Sequence, residues 1–285
     1  LSRLIDIAHR LVRRKYLRLG FKSLTLPVQY GTIHYFENEK TSSRPTIVLL
    51  HGIGTSSGTW MDVLPHLATR YHVVAVDFLG FGFSKLEGGR SYLRVGEHCD
   101  TTEEFLKRKG LEKFTLVGHS FGGWIAAALA FRMPQRVGHL LLVNTAGMYY
   151  QGVENLRALF TLRTTRDLNR LLMQMWYRYP WYYRLFCRSI LADMKERCVG
   201  EIIAEVEKKD FLNQELSSLC MAVSVIWGAE DRLISKDSLV VLKNAIPHLT
   251  VSFIEACGHV PQLERSAEFS SVLLNLLEGK RDVVD

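Results

Sequence analysis

Ser120 stands in Gly118-His119-Ser120-Phe121-Gly122, between the apolar, β-branched run Phe114–Val117 and an Ala-rich helical pattern that starts at Trp124. Gly-x-Ser-x-Gly at a strand-to-helix junction lifts a hydroxyl onto a sharp turn, the nucleophile elbow. The serine backbone is strained there and the helix must lie close to the strand, so Gly118 and Gly122 supply positions without a Cβ. The turn also aims the first free N–H groups of the helix beside the serine oxygen, where negative charge would develop in acyl transfer.

An alkyl hydroxyl is a poor nucleophile at neutral pH. It needs a histidine base, and the histidine needs a carboxylate to fix its tautomer and stabilise its cation. The strand pattern Ala222–Trp227 runs into Gly228-Ala229-Glu230-Asp231, and Thr250–Ile254 runs into Glu255-Ala256-Cys257-Gly258-His259-Val260-Pro261. On pattern alone the acid is Glu230 or Asp231, with position and the shorter side chain favouring Asp231, and His259 is the base. His51, His66, His72, His98, His119 and His248 read as surface or satisfied core histidines. His119, adjacent to the serine, is expected to point away from it across the turn. No histidine shows metal-ligand spacing, and neither a metal nor an organic cofactor is expected. After the strand pattern Thr46–Leu50, the turn His51-Gly52-Ile53-Gly54 can bring the backbone of Ile53 towards the elbow. Its N–H and that of Phe121 would then converge as an oxyanion hole.

These residues need elements that deliver them to one edge. Ser23 to Phe36 alternates as a strand hairpin with a turn near Gly31. From Thr46 strand and helix patterns alternate: Thr46–Leu50, a helix near Thr59–Ala68, His72–Val76, a helix near Glu97–Lys109, Phe114–Val117, the helix after Ser120, and His139–Val143. After a long interruption come Ala222–Trp227, a helix near Lys236–Ala245, Thr250–Ile254 and a helix from Ser266 to Leu277. This is the α/β class, a doubly wound and mostly parallel sheet whose strands all end on one edge. The interruption is helical, aromatic and basic, with Met173, Trp176, Tyr179, Trp181, Tyr183 and Phe186 among its residues. Its most economical place is a helical cap over the strand ends, lining a pocket. The expected division is 1–22 as an N-terminal helix, 23–146 and 215–285 as the core, and 147–214 as the cap.

Five motifs in order make the chain resemble an α/β-hydrolase with a helical cap, from about Pro45 to Leu277. They are His51-Gly52-Ile53-Gly54, Asp77-Phe78-Leu79-Gly80-Phe81-Gly82-Phe83-Ser84, Gly118-His119-Ser120-Phe121-Gly122-Gly123, Trp227-Gly228-Ala229-Glu230-Asp231 and Gly258-His259-Val260-Pro261-Gln262-Leu263-Glu264. The resemblance implies Ser120 as nucleophile, Asp231 as acid, His259 as base, and the backbone of Ile53 and Phe121 as oxyanion hole. Asp77 to Ser84 is by the same likeness a structural turn. Epoxide hydrolases and haloalkane dehalogenases of this fold carry aspartate at the elbow, so Ser120 argues against both. Hydrolases of ring-cleavage diketones usually have Trp after the catalytic histidine, whereas Val260-Pro261 is more similar to the esterase and lipase branch, the monoacylglycerol lipases included. The expected activity is cleavage of carboxylic esters of small or single-acyl-chain lipophilic substrates through an acyl-enzyme. Two rivals are weighed beside it: carbon–carbon hydrolysis of a ring-cleavage product, with Arg157, Arg163, Arg166, Arg170 or Arg178 holding its carboxylate, and a ligand receptor that keeps the scaffold without turnover.

Within 285 residues the apolar runs are strand-length, far short of a membrane span. The five cysteines are odd in number and scattered, which argues against a disulfide framework or zinc site and for a cytoplasmic or otherwise reducing compartment; Cys257 reads as a packing residue. Much of the net charge of +7 lies in the first twenty-odd residues and the middle of the chain. Leu1, Leu4, Ile5, Ala8, Leu11, Val12 and Leu19 recur at helical spacing, with Arg3, Arg10, Arg13, Arg14, Lys15 and Arg18 on the other face. Such a helix either packs on its own domain or lies on an anionic membrane. Peripheral membrane contact through residues 1–20, and a membrane-derived acyl glycerol as substrate, are therefore carried forward. No nucleic-acid partner is expected, and oligomeric state is not legible. Because the chain opens on Leu1, a removed upstream segment is allowed for.

Overall fold

The computed structural model describes residues 2–41 and 43–279. Helix α1 (Ser2–Arg18) leads into the hairpin β1 (Lys22–Val28) and β2 (Gly31–Glu37), followed by β3 (Thr46–Leu50), α2 (Leu64–Leu67), β4 (His72–Val76) and the two-residue β5 (Lys85–Leu86). Next come α3 (Val95–Arg108), β6 (Phe114–His119), α4 (Phe121–Arg132) and β7 (Val137–Val143). Four helices, α5 (Asn155–Phe160), α6 (Thr165–Met175), α7 (Tyr183–Glu196) and α8 (Val199–Ala204), separate β7 from β8 (Ala222–Gly228). The chain then adds α9 (Asp237–Ala245), β9 (Thr250–Ile254), α10 (Pro261–Glu264) and α11 (Ser266–Leu277).

The strands form one sheet in the order β1-β2-β4-β3-β6-β7-β8-β9, with β5 paired to β2. From β4 to β9 every neighbouring pair is parallel, while β1, β2 and β5 are antiparallel. Every residue of β3 and β4 is buried, as expected of apolar runs covered on both faces. The chain winds from β3 to β4 on one side and then crosses to β6 on the other. The carboxyl ends of β3 and β6 therefore flank the switch point, where such sheets hold ligands.

The sequence pattern places a helix near Thr59–Ala68. The structure instead has a 3₁₀ turn (Ser57–Trp60) and the short α2, with Pro65 in its first turn, because proline is tolerated there and not inside a longer helix. Helix α1 also differs from its expected face. Ile5, Val12 and Tyr16 turn inward; fully buried Tyr16 stacks on Phe36 at 3.9 Å and donates to the Ser57 carbonyl at 2.7 Å. That anchor rotates the helix so that Ala8 and Leu11, expected on the apolar face, look outward, Leu11 being 57 % exposed. Leu1 and the side chains of Arg3 and Leu4 lie outside the described residues. No described helix is long and apolar enough to cross a membrane.

Asp77, beyond β4, fixes the edge of the site. Its Oδ1 accepts from the Ser57 N–H at 2.7 Å, and its Oδ2 from the Phe83 N–H at 3.0 Å and from His34 Nδ1 at 2.8 Å. The other His34 nitrogen meets Ser23 Oγ at 2.8 Å. Burial opposes ionisation of Asp77, yet hydrogen bonding and attraction from His34, with smaller help from His51 and Ser57, hold its pKa below the ordinary value. A carboxylate with a depressed folded pKa stabilises the fold above its ordinary pKa, and that stability is lost as pH falls through the folded value. Chemical denaturation should show Asp77→Asn destabilised by about 3–5 kcal/mol near neutrality. The deficit should shrink below about pH 4. A deficit independent of pH would contradict this role.

Candidate active site

At the junction of β6 and α4 two backbones nearly touch. A Cβ on Gly118 would stand 2.2 Å from the Gly122 carbonyl oxygen, and one on Gly122 would stand 2.5 Å from that of Leu50 at the end of β3. The turn holds Ser120 at φ 53°, ψ −116°, a conformation that costs a non-glycine residue about 1–3 kcal/mol. The Ser120 N–H donates to Val143 at 2.9 Å, and its carbonyl accepts from Gly123 at 2.9 Å and Ala146 at 3.1 Å, so β7 and α4 offset the strain. Among the described residues nothing accepts a hydrogen bond from the N–H of Ile53 or Phe121. Both residues line a cavity with Ser120.

Asp231 and His259 follow β8 and β9. The Asp231 Oδ2 accepts from His259 Nδ1 at 2.8 Å, and both side chains are buried. Its Oδ1 accepts from the Leu233 N–H at 2.8 Å and the Ile234 N–H at 3.1 Å. A carboxylate acceptor requires the proton on Nδ1, which leaves the Nε2 lone pair of a neutral His259 free to take a proton. Glu230, the alternative on pattern alone, is exposed. Ser120 and His259 share a cavity wall. No hydrogen bond joins the Ser120 hydroxyl to the His259 ring here, a contact that in unliganded enzymes often tightens only once substrate is bound.

Two neighbours of the site, Asn144 and Glu264, carry no role in the sequence pattern. Asn144, just beyond β7 at φ 40°, donates from Nδ2 to Asp231 Oδ2 at 2.7 Å and accepts from the Gly228 N–H at 3.1 Å. It holds the carboxylate to the end of β8, and its only sequence signal is an Asn at a strand end, a residue that tolerates positive φ. Glu264 accepts from the Gly258 N–H at Oε1 and from the Tyr177 N–H at Oε2, each at 2.8 Å, while the His259 N–H donates to Met175 at 2.6 Å. The histidine loop is thus tied to the end of α6. Burial raises the Glu264 pKa, against the pull of these N–H donors.

His119 corrects an expectation: its ring does not turn away from the site. It lines the Ser120 and His259 cavity, 5.0 Å between ring centres from His259, and its Nε2 donates to the His259 carbonyl at 2.8 Å. Gly52 leaves the space, since a Cβ there would stand 2.9 Å from His119 Nδ1. Burial, then the neighbouring His259, push the His119 pKa well below its ordinary value, so it is a neutral prop under the histidine loop. His98, ringed by Phe78, Phe81 and Phe121, is pushed by burial to about 3. No group of His, Cys, Asp or Glu among the described residues is arranged to hold a metal ion.

Two apolar lobes meet at Ser120. One, of about 240 Å³, is lined by Phe121, Trp124, Met148, Phe160 and Val206, with Arg157 and Lys208 also on its wall. The other, of about 230 Å³, is lined by His259, Leu172, Trp176 and Met194, and by Ile5 of α1. Ile53, Phe160 and Leu233 belong to both. Of the arginines considered for a substrate carboxylate, Arg157 alone lines these lobes, and its guanidinium already donates to the Val206 carbonyl.

Residues 45–219 match the family model described as the alpha/beta hydrolase fold. The chain is 29% identical over 252 residues to 2-hydroxymuconate semialdehyde hydrolase of Pseudomonas sp. (strain CF600), covering 81% of this chain and 86% of that one. It is 27% identical over 259 residues to Lipase 3 of Moraxella sp. (strain TA144), covering 86% and 81%. Among solved structures it resembles a membrane phospholipase A described as a bacterial virulence factor, with a TM-score of 0.84 and 26% identity, over 98% of this chain and 93% of that one.

Asn144→Gly keeps the backbone freedom that position needs and deletes the amide. Losing a hydrogen bond to a buried carboxylate costs about 1.5–3 kcal/mol. The variant should therefore lose on the order of 10- to 100-fold in kcat on an activated ester with KM little changed. Unchanged kcat would remove Asn144 from the account.

Proposed function

The chain belongs to the α/β-hydrolase fold family, and on that premise we propose that this hydrolase is a serine carboxylic-ester hydrolase acting on small or single-acyl-chain lipophilic esters, monoacylglycerols among them. The observation that carries the reading is the place of Ser120 where two apolar lobes meet, with Phe121 on one side and His259 on the other. His259 takes the hydroxyl proton as Ser120 Oγ attacks the ester carbonyl, and the N–H groups of Ile53 and Phe121 hold the oxyanion. The carbonyl reforms as the alcohol leaves with the proton from His259; water then adds by the same route and frees the acid. Because His259 must protonate the leaving oxygen, the alcohol belongs in the lobe lined by His259 and the acyl chain in the lobe lined by Phe121. The helices between β7 and β8 act as the cap that walls both lobes. Likeness to a lipase and to a membrane phospholipase A supports a lipid ester, and the basic outer face of α1 supports peripheral membrane contact through residues 1–20.

A second reading has a specific observation behind it. A relative is named as a hydrolase of 2-hydroxymuconate semialdehyde, and Arg157 and Lys208 stand on the wall of the Phe121 lobe, where they could meet a carboxylate. Arg170 is paired with Asp167 at 2.6 Å, and Arg163, Arg166 and Arg178 do not line the lobes. The apolar lining favours the ester.

A panel of p-nitrophenyl esters and monoacylglycerols of graded acyl length should be turned over by wild type, and Ser120→Ala should lose at least about a thousandfold in kcat. Wild-type turnover by Ser120→Ala would refute the nucleophile. Turnover of a coloured dienol acid by a protein inert to every ester would select the carbon–carbon reading.

A further inference from the structure

Large apolar side chains reach solvent in few places, and four of them fall between positions 181 and 186: Trp181 (72 % exposed), Tyr182, Leu185 (70 % exposed) and Phe186. They lie just before and in the first turn of α7, against which α1 packs, and α1 adds Ile7 and Leu11, both exposed on its outer side. Arg178, Arg184 and Arg188 are exposed beside the first group, and Arg10, Arg13 and Arg14 beside the second. None of these six makes an ion pair among the described residues, whereas Arg70, Arg94, Arg132, Arg170 and Arg197 all do. Exposed tryptophan, tyrosine and leucine ringed by unpaired guanidinium groups is the composition of a surface that meets lipid headgroups and the first acyl carbons together. Self-association through this face would set arginines against arginines, so charge favours an anionic partner over a second copy.

Two further observations point the same way. Arg178 and Tyr182 also line a groove of about 380 Å³ with Arg265. Glu264 lines it too, its two oxygens accepting from the Gly258 and Tyr177 N–H groups, so the groove carries two arginines and one carboxylate. The same pair of helices walls the His259 lobe, α7 through Ile190 and Met194 and α1 through Ile5.

We propose that the face formed by residues 178–188 and the outer side of α1 docks on an anionic lipid bilayer, so that the lobe walled by α1 and α7 stands next to the lipid that supplies the substrate. The docking stands on its own; the supply of substrate rests on the lipophilic-ester reading. It enlarges the membrane contact expected of residues 1–20 by making α7 the main apolar anchor. Flotation of the full chain with phosphatidylcholine vesicles, with and without phosphatidylglycerol, tests it alongside turnover of soluble p-nitrophenyl butyrate. Wild type should float with the anionic vesicles alone. Trp181→Ser with Leu185→Ser, and separately Arg184→Glu with Arg188→Glu, should each weaken binding about tenfold or more. Both should keep wild-type turnover and fluorophosphonate labelling, which also reports that they fold. Variants that float as wild type does, or binding indifferent to phosphatidylglycerol, would overturn the docking. So would a concentration-dependent dimer abolished by the same substitutions. Anionic flotation by a wild type that turns over no ester would uphold the docking and defeat the ester reading.

Discussion

Where β6 gives way to α4, the backbones of three elements are pressed closer than any side chain would allow. Gly118 and Gly122 make that approach sterically feasible, and its consequence is the strained φ of Ser120. A residue so held cannot relax into the helix or the strand, because its N–H is committed to β7 and its carbonyl to α4. The hydroxyl is thereby presented at the sheet edge, and the N–H of the next residue is left without an acceptor. Strain, exposure to the cavity and a free donor are one geometric fact seen from three atoms.

The rest of the site follows from strands that end on the same edge. Asp231 and His259 sit beyond neighbouring strands β8 and β9, and their 2.8 Å contact needs no long excursion of either loop. Asn144 beyond β7 closes the row, so the carboxylate is held from both adjoining strands. The wall of the cavity is bound to the same frame. Met175 accepts from the His259 N–H, and Glu264 bridges the histidine loop to Tyr177, so displacing the end of α6 would displace the His259 ring. Cavity shape and the placement of His259 are mechanically linked.

Much of this was legible in the sequence because it depends on local patterns. The buried strand runs, the glycines of the elbow and the Asp and His beyond later strands are each set by a few consecutive residues. What escaped depends on contacts across the fold. Asn144 carries no signal beyond its type, since its partners lie 84 and 87 positions away. Glu264 stands in the motif that carries His259, but its second partner, Tyr177, lies 87 positions away in the link between α6 and α7. His119 turns towards His259 because Gly52, on a different strand end, leaves room. The facing of α1 departs from its sequence pattern for a similar reason: Tyr16 finds Phe36 and the Ser57 carbonyl, and that one anchor decides which apolar residues are buried.

The proposed ester chemistry requires Ser120, activated by the Asp231-held His259, to carry the acyl group during turnover. Acid quench during steady-state hydrolysis of p-nitrophenyl butyrate, followed by mass spectrometry of the peptides, tests it most directly. A butyryl group is expected on the peptide containing Ser120, its rate of appearance sharply reduced in Asp231→Asn. A butyryl group on another residue, or sustained turnover with Ser120 never acylated, would contradict it.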